Sequence, residues 1–347
     1  MLKPVHLFLT LLTMLLLQSC SFGAGGERLP APQAADPIRG ITSEMYRTIG
    51  PPPTRIVLGF SQLGTESSWR MANTASIQSA AEEAGITLLM ENAEQSQEKQ
   101  FEAIRSFIRQ KVDIIAIAPV VQSGWEPILQ EVKQAGIPVV IIDRAVDVKD
   151  NALYVTFIGS DFFEEGVKAG KYLLDKLRNQ PGPVRIAELQ GTKGSTPSID
   201  RGEGFRSVIK ERPDLKITQS DPADFTEHQG YAVMKKLLEV PKQEQPSVLF
   251  AHNDDMAIGA VRAIEEAGLQ PGEDMIIISI DGTRKAFEQM VEGKINAVVE
   301  CNPLLGPLLM QAAKEIMAGR TLPKRMVPQE DIFTKEMAGD ELARRKF

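Results

Sequence analysis

Short apolar runs that alternate with longer amphipathic segments constrain this chain more than any other feature. The runs are RIVLGF, ITLLM, DIIAIA, VVIID, VRIAEL, SVLFA, MIIISI and NAVVE. Each has the length of a strand, and most are near-continuous Val, Ile and Leu, the pattern of strands buried on both faces. Between them, residues 70–84, 95–110, 125–135, 162–178, 201–210, 227–238, 255–267 and 303–318 read as amphipathic helices. Several close on a glycine just past the last helical residue, as in AAEEAGI, VKQAGI and IEEAGL, the expected C-cap. Strands alternating with helices imply right-handed βαβ crossovers, hence parallel sheets with helices on both faces. The pattern runs once over about residues 55–156 and again over 157–300. The expected fold class is therefore α/β, with two doubly wound parallel-sheet lobes and a ligand between them at the carboxyl ends of the strands.

The N-terminus stands apart from this pattern. Met1-Leu2-Lys3 gives a positive start, and residues 7–17 form an apolar core of signal-peptide length, too short for a stable membrane span. It ends LLLQSC, which resembles the lipobox of bacterial lipoproteins, in which the cysteine becomes the lipid-carrying N-terminus. A plain secretory signal with an incidental cysteine is the alternative. Since the chain has only two cysteines and one stands at this place, lipidation of Cys20 is the reading taken. Residues 21–54 are rich in Gly, Ala and Pro without a sustained period and read as a flexible tether.

Composition excludes several classes. With 43% hydrophobic and 24% charged residues, the 347-residue chain is globular and long enough for two domains. A net charge of −7, with no long basic run, argues against a nucleic-acid partner. Cys301 has no cysteine to pair with once Cys20 is lipidated, and three scattered histidines make no metal-ligand cluster, so no metal is expected. There is no GxxxxGK[ST], RGEGFRS lacks the third glycine of a dinucleotide site, and no GxSxG elbow occurs, so no cofactor is expected. GTKGSTPS (residues 191–198) is a Gly-rich turn that spells no phosphate motif.

The ends of the apolar runs are unusually polar. Ser61-Gln62 and GTESSWR follow the first, Asp143-Arg144 the fourth, HNDD the sixth, Asp281-Gly282 the seventh and Glu300 the eighth. Each could be a helix cap, a reading strongest for Asp255, which directly precedes the helix expected from Met256. It is weaker for Asp143, whose neighbour Arg144 makes an odd helix start. Carboxylates, amides and guanidinium groups converging on one cleft offer many acceptors and fixed donors, which suits a neutral polyhydroxylated molecule. Trp69 adds a flat apolar face suited to the C–H face of a sugar ring, and its polar neighbours ESSWR place it toward the cleft.

These residues carry a resemblance. GFSQLGTESSWR, IAPVVQSGWEPIL, IDRAVDVKD, AELQGT, SIDRGEGF, DFT, AHNDDMAIGA, SIDG and VVECNP occur in that order between residues 55 and 342. Together they resemble the bacterial periplasmic sugar-binding proteins of ABC transporters, of the ribose-binding type, and its galactofuranose-binding members in particular. The resemblance implies a type I periplasmic-binding fold whose lobes are joined by a three-strand hinge. The hinge would be crossed near Phe157, Glu300 and Gln329. It implies a first lobe of residues 55–157 with 301–329 and a second of 158–300 with 330–342, after a signal peptide over 1–20. It also implies ligand-binding roles for Glu66, Ser67, Trp69, Arg70, Asp143 and Arg144 on the first lobe. On the second, it implies them for Arg201, Phe225, Asn253 and Asp281, with Glu300 where ribose-binding relatives carry a glutamine. The implied ligand is a monosaccharide, a furanose such as galactofuranose; the implied partner is an ABC transporter permease, and the implied state a monomer. The soluble relatives lack a lipobox and tether, so this chain resembles an extracytoplasmic, lipid-anchored version, at a cell surface or in a periplasm.

Three other functions share part of this pattern. A sugar receptor for a membrane sensor kinase would use the same closed form. A glycoside hydrolase would need a raised carboxyl and a partner, whereas a carboxylate paired with arginine is the wrong kind of general acid, and adjacent Asp254 and Asp255 point different ways. A repressor of similar core would need an N-terminal helix-turn-helix where this chain carries its signal and tether.

Overall fold

The computed structural model describes residues 55–180 and 182–347. The segments read from sequence as a signal peptide with Cys20 and as a tether (residues 1–54) lie outside the described residues. The first half alternates as far as β4: β1 (Val57–Gln62), α1 (Ser68–Ala84), β2 (Thr87–Asn92), α2 (Gln97–Gln110), β3 (Ile114–Ile117), α3 (Glu126–Gln134) and β4 (Val139–Ile142), then β5 (Thr156–Ile158) without an α-helix between. The second follows as α4 (Phe162–Lys176), β6 (Val184–Gln190), α5 (Thr196–Ile209), β7 (Leu215–Pro222), α6 (Glu227–Leu237) and β8 (Val248–Ala251). It continues with α7 (Asp254–Glu266), β9 (Ile276–Asp281), α8 (Arg284–Val291) and β10 (Ala297–Glu300). The C-terminal part adds α9 (Gly306–Met317), β11 (Arg325–Met326), β12 (Ile332–Thr334) and α10 (Ala338–Leu342).

These strands form two six-stranded sheets, ordered β11-β5-β4-β3-β1-β2 and β12-β10-β9-β8-β6-β7. Every named pairing is parallel except β12, which runs antiparallel to β10. The apolar runs are continuous because each strand is covered twice. Val140 and Ile142 of β4 enter one core cluster, while Val139 and Ile141 enter the cluster on the opposite face. Leu249 and Ala251 of β8 likewise part from Val248 and Phe250. The expected two-lobed α/β architecture is what the chain adopts.

Three differences from the sequence expectation have physical causes. The sequence reading has no strand at β7, an edge strand whose residues after Leu215 alternate exposed and half-buried, so its apolar content is halved. α8 is short, and only Ala286, Phe287 and Met290 bury in it. α5 begins at Thr196, not near residue 201, with Pro197 in its first turn, where the missing N–H costs nothing.

The chain passes between the sheets three times: after β5 into α4, after β10 toward α9, and between β11 and β12. Glu330, 7% exposed, ties these crossings together. Its Oε1 accepts from the Ser160 hydroxyl (2.6 Å) in the first crossing and the Asn302 N–H (2.8 Å) in the second. Lys168 donates to the Glu330 backbone oxygen at 2.6 Å. Among the described residues, no helix is long and apolar enough to cross a membrane.

Candidate functional site

The carboxyl ends of both sheets face a cavity of about 280 Å³, part of it open at the mouth.

Its first wall is built on one strand end and one helix start. Beyond β4, Asp143 adopts a left-handed backbone (φ 64°), a region in which aspartate is enriched. Arg70, in the first turn of α1, donates from Nη2 to Asp143 Oδ2 (2.6 Å) and from Nε to Glu66 Oε1 (3.1 Å). Ser67 caps α1 by accepting from the Arg70 N–H (3.1 Å). Arg144 is fully buried, donates from Nη1 to the Val120 oxygen (2.9 Å), and lies 3.6 Å from Glu66 and 3.9 Å from Asp143. Burial and the neighbouring charge of Arg70 push Arg144 down to about 10, which leaves it charged at neutral pH. Burial works to raise Glu66, but Arg70 and Arg144 outweigh it and hold the carboxyl below its usual range. Arg70 Nη1 and Arg144 Nε are buried with no hydrogen-bond partner in the protein.

The second wall comes from four elements. Arg201 of α5 donates from Nε to Glu165 (2.7 Å) and from Nη1 to the His252 backbone oxygen (2.6 Å), and lies 3.7 Å from Asp281. Burial works to lower the pKa of Arg201, but Glu165 and Asp281 outweigh it. Asp281 ends β9 at φ 134°, and burial, reinforced by Asp254 and Asp255, pushes its carboxyl well above the usual range despite Arg201. Asn253 caps α7 by accepting from Met256 N–H (3.0 Å) while its amide donates to the Phe225 oxygen (3.2 Å). Phe225, left-handed at φ 62°, lies under the guanidinium groups of Arg144 (5.2 Å) and Arg201 (5.9 Å). A Cβ on Gly191 would fall 1.8 Å from the Phe225 ring, so only glycine lets the ring sit there.

The cavity thus gathers Glu66, Ser67, Trp69, Arg70, Asp143 and Arg144 from one lobe, and Arg201, Phe225, Asn253 and Asp281 from the other. Trp69 reaches the cleft, yet it is only 5% exposed, because its ring N–H donates to the Cys301 oxygen (2.6 Å) and Phe162 packs in the same cluster. Glu300 is the residue the structure does not bring to the cavity wall. Arg345 holds its carboxylate at 2.7 Å while stacking on Phe287 (4.4 Å) and Phe333 (4.5 Å), which turns Glu300 toward the C-terminal segment. Asp255 is not the cap of α7 either; Asn253 has that role, and the Asp255 carboxylate bonds Ser68 of the first lobe. Asp254 accepts instead from Ser279, Gly282 and Thr283 within its own lobe. The sequence reading missed Phe162, Pro197 and Cys301, which also line the cavity. Pro197 falls in the GTKGSTPS turn and Cys301 in VVECNP, both already distinctive in the sequence.

Beside the cavity, Glu165, Cys301 and Glu330 each place one donor atom within 4.8 Å of the others. Burial pushes both carboxyls and the thiol up. Oε1 of Glu330 and one oxygen of Glu165 already accept from Ser160, Asn302 and Arg201, so the cluster serves hinge and wall.

Residues 58–321 match the family model described as a periplasmic binding protein domain. The chain is 41% identical over 293 residues to galactofuranose-binding protein YtfQ of Escherichia coli, covering 84% of this chain and 92% of that one. A Mycobacterium smegmatis protein solved in complex with β-D-fucofuranose is 49% identical with a TM-score of 0.80, covering 83% of this chain and 97% of that one. The fructose-binding periplasmic domain of a hybrid two-component system is 27% identical with a TM-score of 0.75, covering 83% of this chain and 94% of that one.

Proposed function

The chain belongs to the periplasmic binding protein family, and on that premise we propose that it captures a monosaccharide in its furanose form between the two lobes. It then delivers the sugar to an ABC transporter permease. The observation that carries this reading is the pair of buried donors, Arg70 Nη1 and Arg144 Nε, which have no hydrogen-bond partner in the protein, on the wall of a cavity of about 280 Å³. Buried donors of this kind are costly unless an acceptor meets them, and a sugar hydroxyl is such an acceptor. Each arginine of the wall already has a carboxylate beside it, so the site favours a neutral sugar over a sugar phosphate. The two furanose-binding relatives support the ring form. A furanose specialist meets only the furanose fraction of a reducing sugar, which weakens its apparent affinity by that fraction. Signal peptide 1–20, lipidation at Cys20 and the tether would keep the protein at the outer face of its membrane.

Calorimetric titration of the purified chain with L-arabinose, D-fucose, D-galactose and D-galactose 6-phosphate tests this. Heat is expected from at least one neutral sugar and none from the phosphate; silence from all three neutral sugars sinks the reading. The two-component relative supports a second reading, presentation of the closed form to a sensor kinase. Co-purification from detergent with a permease or with a kinase separates the two.

A further inference from the structure

Two sets of contacts join the lobes beside the cavity without lining it. On one flank, Asp255 in the first turn of α7 reaches across to the first turn of α1. Its Oδ2 accepts from the Ser68 N–H (3.1 Å) and the Ser68 hydroxyl (2.7 Å). A carboxylate at this end of a 17-residue helix is favoured by the helix dipole as well as by the two hydrogen bonds. On the other flank, the turn GTKGSTPS meets the loops that follow β3 and β4. Gln122 N–H donates to the Gly194 oxygen (2.9 Å), and Ala145 N–H donates to Thr196 Oγ1 (3.1 Å). Neither Asp255 nor Thr196 borders the cavity.

Resting on the reading of sugar capture given above, we infer that Asp255 and Thr196 are closure residues, which set the lifetime of the closed complex without touching the sugar. All these contacts bridge one lobe to the other, so they exist only while the lobes are together. A group that bonds only in the closed state shifts the open–closed equilibrium and so the apparent affinity. The sugar enters the open form, in which these groups face water. Removing them therefore leaves association unchanged and speeds release.

Stopped-flow tryptophan fluorescence on the full chain, with L-arabinose and D-galactose as probes, tests the assignment. Asp255→Ala is expected to raise the dissociation rate about ten- to a hundred-fold, since it removes a charge-assisted pair of bonds. Thr196→Val should raise it several-fold, and Asp255→Asn, which keeps an acceptor oxygen, should recover most of the loss. The association rate should equal that of the wild type throughout. Association that falls in step with stability, or dissociation unchanged in both Asp255→Ala and Thr196→Val while the wild type binds, overturns the closure residues alone. A wild-type chain that binds neither sugar overturns the capture reading, and with it any role in retention.

Discussion

Asp143 and Arg144 are neighbours in the chain but act through different partners. The left-handed backbone at Asp143 turns its carboxylate onto Arg70 at 2.6 Å, while Arg144 anchors one arm on the Val120 oxygen and leaves Nε unmatched. Arg144→Ala is expected to weaken sugar binding about ten- to a hundred-fold, the worth of a charged hydrogen bond. The same change should lower stability by about 1–3 kcal/mol, because Glu66 and Asp143 lose a counter-charge and Val120 a donor in the interior. Calorimetry and urea unfolding on one preparation separate the two effects. Binding equal to that of the wild type would remove Arg144 from the site. This pair was legible because parallel strands carry their carboxyl ends to one edge, so a charge after VVII has to face the cleft. Glu300 obeys the same rule in sequence and escapes it in space. Its partner Arg345 lies on a C-terminal segment whose path no local pattern encodes.

At the scale of elements, Arg201 depends on how closely α4 and α5 approach. A Cβ on Gly166 would fall 2.1 Å from the Arg201 oxygen, and one on Gly204 would fall 2.1 Å from the Phe163 oxygen. This contact brings Glu165 within 2.7 Å of Arg201. Gly166→Ala should therefore force the helices apart, costing about 1–3 kcal/mol in urea unfolding as overpacking does. It should also weaken binding by moving Arg201, although residue 166 does not border the cavity. Unfolding midpoints and titrations that match the wild type would refute the close-contact argument. The alternation of strands and helices was readable because each period shows in the residues themselves. The glycine contact between α4 and α5 was not, since RGEGF looks the same whether its glycines serve a phosphate turn or a helix crossing. Asp255 illustrates the same limit: its first-turn position suits a cap, and only the arrival of the other lobe gives it Ser68.

At the scale of the molecule, the second lobe holds a buried network around Glu188, which bonds Arg206 (2.9 Å), His252 (3.1 Å) and Ser220. Burial works to raise the Glu188 carboxyl, but His252, Ser220 and Arg206 outweigh it and hold it at about 2. Burial also lowers the pKa of His252, which favours the neutral ring. A folded-state value below the ordinary 4.5 means the unfolded chain binds the extra proton first. The stabilisation is thus complete above pH 4.5 and drains away as pH falls toward 2. Unfolding followed from pH 6 to pH 2 should show a steep acid limb in the wild type. In Glu188→Gln the limb should be shallower, from a lower starting stability at neutral pH. Equal slopes would show that other carboxyls govern acid unfolding. The network also reaches the cavity, because the His252 backbone oxygen holds Arg201.

Glu330 gives the molecule an axle. One carboxylate oxygen serves the first and second crossings, and the residue itself belongs to the third. A crossing that lengthens or slips strains the bond by which Glu330 holds it. A rotation about this point can swing the lobes apart at their far rims while leaving the axle nearly still. Engineered variants should therefore tolerate added residues in the outer loops far better than a single insertion in any of the three crossings.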